Sequence, residues 1–152
     1  MTAKVFTVAA FKIAKADLDL DVANLWVALV MTNTTADTED ATITTMSNFT
    51  TLDECNGANY VRKKLASLAV ARDDTNHWIT LDAADVTWSA LGNGTRNVQA
   101  ALIYVDADDD GDPADDANNT PVALLDFSAT QAPGGSDFQV QWNTTGLIKL
   151  AV

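Results

Sequence analysis

The chain has 152 residues, 47% of them hydrophobic and 20% charged, with 21 acidic against 9 basic side chains and a formal charge of −12 at neutral pH. Its length fits one domain with a single core, its apolar content excludes a wholly disordered chain, and its acidity excludes nucleic-acid binding, which needs clustered cations. One cysteine, Cys55, allows no intrachain disulfide, so the fold must stand on packing.

In chain order, the segment 4–15 places Val5, Phe6, Ala9, Ala10 and Ile13 on one helical face and Lys4, Lys12 and Lys15 on the other. This predicts a short N-terminal helix. Two roles stay open for residues 1–16: a cap on the core, or an arm whose lysines dock on a partner. Lys12 and Lys15 stand where a leader's cleavage region would lie, so no signal peptide is expected, and no apolar run reaches membrane-spanning length. Synthesis and retention in a cytoplasm follow as an expectation.

Asp17-Leu18-Asp19-Leu20-Asp21 alternates as a half-buried strand does and leads into Leu25-Trp26-Val27-Ala28-Leu29-Val30-Met31. Seven apolar residues closed by Thr32-Asn33-Thr34-Thr35 suit a strand buried on both faces, at the centre of a sheet. A polar loop follows, then a helical turn at 44–50 carrying Met46 and Phe49 inward. The segment 60–72 reads as one strand, on which Arg62, Lys63 and Lys64 either guard a sheet edge or form a docking patch for an acidic partner.

Strands are predicted at 77–81, 86–88 and 98–105, the last as apolar as the first long run. A long acidic hairpin loop separates 98–105 from a strand at 121–128. Phe138, Val140 and Trp142 share one face of an alternating strand, residues 143–146 turn the chain, and 147–152 closes it. The fold expected is mainly β: an antiparallel β-sandwich, Ig-like or jelly-roll-like, with a short N-terminal helix, as a single domain over 1–152.

The reactive groups identify no chemistry. His77 is the one histidine and no nucleophile-elbow motif accompanies it. One His and one Cys cannot supply a zinc site, two carboxylates beside Cys55 disfavour its thiolate, and no glycine-rich phosphate loop is present. Asp106, Asp108, Asp110 and Asp112 around Gly111 match the start of a calcium loop, but Ala117 stands where an EF-hand needs its bidentate glutamate. Two readings remain: a weak surface calcium site and a solvated acidic loop. Trp26, Trp78, Trp88 and Trp142 all fall in predicted strands and read as core.

Taken in order, several phrases resemble a family of small virion structural proteins from tailed bacteriophages. They are Asp19-Leu20-Asp21 with Leu25-Trp26-Val27-Ala28-Leu29-Val30, then Asn59-Tyr60-Val61-Arg62-Lys63, then Asp82-Ala83-Ala84-Asp85-Val86-Thr87-Trp88. Ala100-Ala101-Leu102-Ile103-Tyr104, the segment 121–127, Asp137-Phe138-Gln139-Val140-Gln141-Trp142-Asn143 and Gly146-Leu147-Ile148 complete the series. Where the family pattern carries glycine before Tyr-Val-Arg, this chain has Asn59. The resemblance implies a non-enzymatic β-sandwich present in many copies on the virion, a capsid decoration or cement protein that binds between subunits of the major capsid protein. It implies a homo-oligomer on the capsid surface, made in the host cytoplasm, with no contact to nucleic acid or membrane. The alternatives are a tail or head-fibre component, and a carbohydrate- or receptor-binding sandwich in which an exposed Trp stacks on sugar.

Overall fold

The apolar run at 25–31 is a strand, and both of its faces are covered. The computed structural model describes residues 2–143 and 146–151. Its elements are β1 (Thr2–Val5), α1 (Thr7–Ala14), β2 (Leu25–Met31), β3 (Lys63–Lys64), β4 (Ala69–Asp73), β5 (Trp78–Asp82), β6 (Val86–Leu91), β7 (Val98–Val105), β8 (Thr120–Gln131), β9 (Ser136–Val140) and β10 (Ile148–Ala151). The largest sheet has five strands in the order β1-β8-β7-β2-β3, all neighbours antiparallel. A three-stranded sheet, β10-β5-β4, and a two-stranded one, β6-β9, make the other layer of an antiparallel β-sandwich.

The period of two along β2 sorts its side chains into two cores. Leu25, Val27, Leu29 and Met31 join Ala101 and Ile103 of β7 and Leu125 of β8 on the face that meets Leu81, Trp88, Val140 and Ile148 of the small sheets. Ala28 and Val30 join Ala100, Leu102, Tyr104 and Leu124 on the opposite face. Among the described residues no second sheet covers that face. The irregular segment after β2 does so with Ala36, Ile43, Met46 and Phe49, and Phe6 meets the Phe49 ring edge-on at 5.5 Å. A strand with apolar cover on both sides reads as an unbroken hydrophobic run, which is why 25–31 and 98–105 stand out in the sequence. The turn expected at 44–50 is a 3-10 turn at Met46–Asn48 with Met46 and Phe49 buried.

The N-terminus departs from expectation. Residues 2–5 extend as β1 against β8, pairing Lys4 with Leu124, and the helix begins only at Thr7. The chain gains a sheet's hydrogen bonds there, and Phe6 and Ala9 become fully buried. Residues 2–14 are thus built into the fold rather than free as an arm; Met1 lies outside the described residues. Helix α1 lacks a cap of its own. Asp40 supplies one from the covering loop, accepting from the Thr7 backbone N–H at 2.9 Å and from the Thr7 hydroxyl at 2.8 Å.

Three further expectations are corrected. The single strand expected at 60–72 is divided between two sheets, because Ser67 sits at φ 55° and turns the chain after β3. Residues 17–21 form no strand, although Leu18 and Leu20 are buried between exposed aspartates as the alternation requires. His77 lies in the turn before β5 at φ 58°, exposed, and not in the strand. Thr144, Thr145 and Val152, in the expected last turn and strand, lie outside the described residues.

Helix α1 ends on a Schellman pattern, with Asp17 N–H bonded to Lys12 C=O at 2.8 Å and Ala16 N–H to Ile13 C=O at 3.0 Å. Ala16 holds the left-handed position, φ 59°, where glycine is free of the Cβ penalty. Ala16→Gly is therefore expected to stabilise the protein by about 0.5–1 kcal/mol in urea denaturation; a loss of stability would show that the Ala16 side chain packs favourably there.

Candidate functional site

The polar and charged groups are concentrated where the β7–β8 loop folds over the end of β2. Asp106 follows β7 directly and is 1% exposed. Its Oδ1 accepts from the N–H groups of Asp109 at 2.8 Å and Asp108 at 3.3 Å, and its Oδ2 from that of Gly111 at 2.8 Å. A carboxylate that bonds its own following backbone makes the loop fold locally. Gly111, at φ 75°, then lies against the Trp26 ring, so close that a Cβ would stand 2.4 Å from it. The Trp26 indole N–H donates to Asp109 Oδ1 at 2.9 Å, and the Lys64 ammonium pairs with the other oxygen of that carboxylate. Those two bonds hold the Asp109 carboxyl below its ordinary range. At the far end, Asn119 Oδ1 accepts from the Ala107 N–H at 2.9 Å.

Arg62 fastens this loop to the rest. Its guanidinium bonds Glu54 through Nε at 2.8 Å and Nη2 at 2.7 Å, and Asp116 through Nη1 at 2.6 Å and Nη2 at 2.9 Å. It also lies 5.1 Å over the Tyr104 ring. Glu54 accepts in turn from the Tyr60 hydroxyl at 2.7 Å, and that hydroxyl accepts from the Leu29 N–H on β2 at 3.0 Å. Burial works against the Arg62 charge, yet the bonds to Glu54 and Asp116 outweigh it and raise its pKa; burial pushes the Tyr60 phenol well up. Only arginine offers this double fork.

The cations expected to dock on a partner are therefore scattered and mostly engaged. Arg62 is buried and is not a surface group. Lys4 donates to the carbonyl oxygen of Glu39 at 2.7 Å, Lys12 to the Thr120 hydroxyl at 2.7 Å, and Lys15 pairs with Asp17 at 3.2 Å. Lys4 on β1 and Lys63 and Lys64 on β3 sit at opposite edges of the five-stranded sheet, so they form no common patch.

For calcium, the carboxylates of Asp106, Asp108 and Asp110 come within 4.8 Å of one another, as do those of Asp110, Asp112 and Asp115. Both oxygens of Asp106 already hold backbone N–H groups, and Asp112 Oδ1 accepts from the Ala114 N–H at 2.8 Å. Partial desolvation and the charges of Asp115 and Asp110 push the Asp108 carboxyl up. The loop thus closes on its own amides. Of the tryptophans, Trp88 and Trp142 are buried; Trp26 lies under Gly111, and Trp78, on another sheet, has the Lys149 ammonium 4.2 Å over its ring. Cys55 is buried, and burial raises its thiol pKa.

What the sequence did not signal is the partnership of Glu54, Tyr60, Arg62 and Asp116, drawn from three separate segments. No family model, curated protein or solved structure matches the chain. Among the described residues no helix is long and apolar enough to cross a membrane.

Arg62→Ala leaves two carboxylates facing each other without their cation and is expected to cost about 3–5 kcal/mol. Arg62→Lys should recover only part of it, since an ammonium cannot fork to both partners; equal stability of the two variants in denaturant would refute this role. Acid should act in a defined window. Glu39, held down by Thr50 and Thr35, Asp73, held at about 2 by Asn76 and Trp78, and Asp109 all ionise more readily folded than unfolded. Their contribution is whole above the unfolded carboxyl range and lost as pH falls through the folded values, so the melting temperature should hold from neutral pH to about 5 and fall between about 4 and 2.

Proposed function

We propose that the chain is a non-enzymatic structural protein of a tailed-phage virion, decorating the capsid and cementing neighbouring subunits of the major capsid protein. The observation that carries this reading is the ordered series of phrases that resemble that family's. In the fold they supply β2, the Tyr60–Arg62 anchor, β6, β7, β8 and β9. Asn59, standing for the family's glycine, has φ 64°, the left-handed conformation that glycine favours and asparagine tolerates. The departure is conservative in the one property that matters there.

Physical features of the protein support the same reading. Its long loops are bound to the core by charged and polar side chains, so little ordering entropy is lost when it docks on a lattice. A protein that binds only the assembled shell stabilises that shell by mass action, and bridging or oligomeric copies gain by multivalency even when each contact is weak. An acidic surface suits the outside of a particle that encloses nucleic acid. Synthesis in the host cytoplasm and homo-oligomeric binding at the capsid surface belong to this proposal.

Quantitative mass spectrometry of purified virions tests it. The expected copy number is of the same order as that of the major capsid protein. A count of a few per particle would move the chain to the tail or a head fibre, and absence from purified virions would remove the proposal.

A further inference from the structure

Strand β4 is the last strand of the β10-β5-β4 sheet and pairs only with β5, in a register that runs from Ala69 opposite Asp82 to Asp73 opposite Trp78 without a shift. Among the described residues, its backbone makes no hydrogen bond to any segment but β5. Residues 69–72 are all exposed, Val70 at 43%. Natural edges are blunted by shortness, lysine, proline or a bulge. β3 has the first two of these, being two residues long and both lysine. The Ala69-Val70-Ala71 part of β4 has none.

The two faces beside this edge differ in chemistry. On one, Val70, Ile79 and Leu150 of the sheet and Ile13, Leu18 and Leu20 of the N-terminal segment line a groove of about 310 Å³, with Asp19 and Asp21 on its rim. On the other, Ala69, Ala71 and Thr80 floor a wider surface bordered by Asp73, Asp74 and Asp82. Arg72 is already paired with Asp74 at 2.7 Å. Among the described residues no lysine or arginine lines the groove, and on the other surface Asp82 is exposed and joins no ion pair.

We propose that the outer edge of β4 is a strand-addition site for an extended segment of a partner protein in which apolar residues alternate with lysine or arginine. Addition to an edge supplies main-chain hydrogen bonds, and alternate side chains read the two faces. The apolar set enters the Val70 groove. The basic set faces the opposite side, where Asp82 lies two strand spacings away, about 9.5 Å, within reach of a long cationic side chain. A second copy of this chain is disfavoured as occupant, because it would bring Asp19, Asp21 and the acidic border of one molecule against those of another, each carrying −12. The inference stands on the edge itself and not on the virion reading, and either can fail while the other holds.

The test uses the full chain and three short, end-blocked peptides: one alternating valine with lysine, one of the same composition with its valines and lysines segregated, and one with glutamate for lysine. The alternating peptide is expected to bind, to slow amide hydrogen exchange within β4, and to weaken with added salt. Val70→Asp, on an exposed side chain, and Asp82→Asn, on the face that takes the basic set, should each weaken it by about tenfold or more. Failure of the alternating peptide to bind at millimolar concentration overturns the proposal. So does protection that appears away from β4, equal binding of the glutamate peptide, or indifference to both variants. Sedimentation showing self-association abolished by Val70→Asp would overturn it in favour of a second copy.

Discussion

The central sheet has two apolar faces and, among the described residues, one sheet layer to cover them. Strands β2, β7 and β8 carry large aliphatic side chains on both sides, and at roughly 25 cal/mol per Å² of apolar surface neither side can be left wet. The small sheets cover one side with backbone that bonds itself. The other side is covered by irregular chain, whose amides and carbonyls have no ladder to enter and must find partners one at a time. Thr, Asn, Asp and Glu provide them. Glu39 accepts from the Thr35 hydroxyl, the Thr50 hydroxyl and the Thr50 N–H, Asn48 Oδ1 collects Thr44 and Thr45, and Asp53 accepts from the Asn33 N–H and pairs with Arg96. The polar composition that marks these stretches as loops is also what holds them on the core.

Arg62 extends the same logic to the acidic loop. Carboxylates from two distant segments, Glu54 and Asp116, would repel each other and the neighbouring aspartates, and a single buried guanidinium joins them. The pair of bridges is not a large net gain over an apolar core, because each ion loses hydration on burial. Its value lies in geometry. Breaking one member exposes the others, so the arrangement fixes the position of residues 106–119 against β2 more firmly than apolar contact would. Asp106 and Trp26 fix the near end of the loop, and Arg62 and Asn119 the far end.

The elements legible in the sequence are those whose signal is local. The run at 25–31, the strand at 98–105, the acidic hairpin loop and the inward Met46 and Phe49 follow from apolar period and turn chemistry over a few residues. The N-terminal helix was legible only in part, because Phe6, Ala9 and Ile13 keep a helical spacing while the pairing of residues 2–5 with β8 depends on a strand more than a hundred residues away. Arg62 read as a surface cation because Lys63 and Lys64 follow it; nothing adjacent reveals that Glu54 and Asp116 enclose it. The break at Ser67 has no glycine or proline to announce it. Ser67 is one of eight non-glycine residues with positive φ among those described, a backbone choice that composition hides.

Loop rigidity and edge exposure then have to be weighed together. A chain that fastens its longest loops with buried ions and caps a helix with a residue from another segment has the means to cover a strand edge, and β3 shows such an edge kept short and charged. The edge of β4 is longer, carries the small side chains of Ala69 and Ala71, and is bordered by Asp73, Asp74 and Asp82. In a free monomer it is a liability for unwanted pairing. Net charge reduces that liability among identical copies, since each approach of one β4 to another also brings like charges together. The same charge leaves the edge accessible to a cationic strand. Acidity and an unguarded edge, taken as one device, select against self-pairing and for a partner of opposite sign.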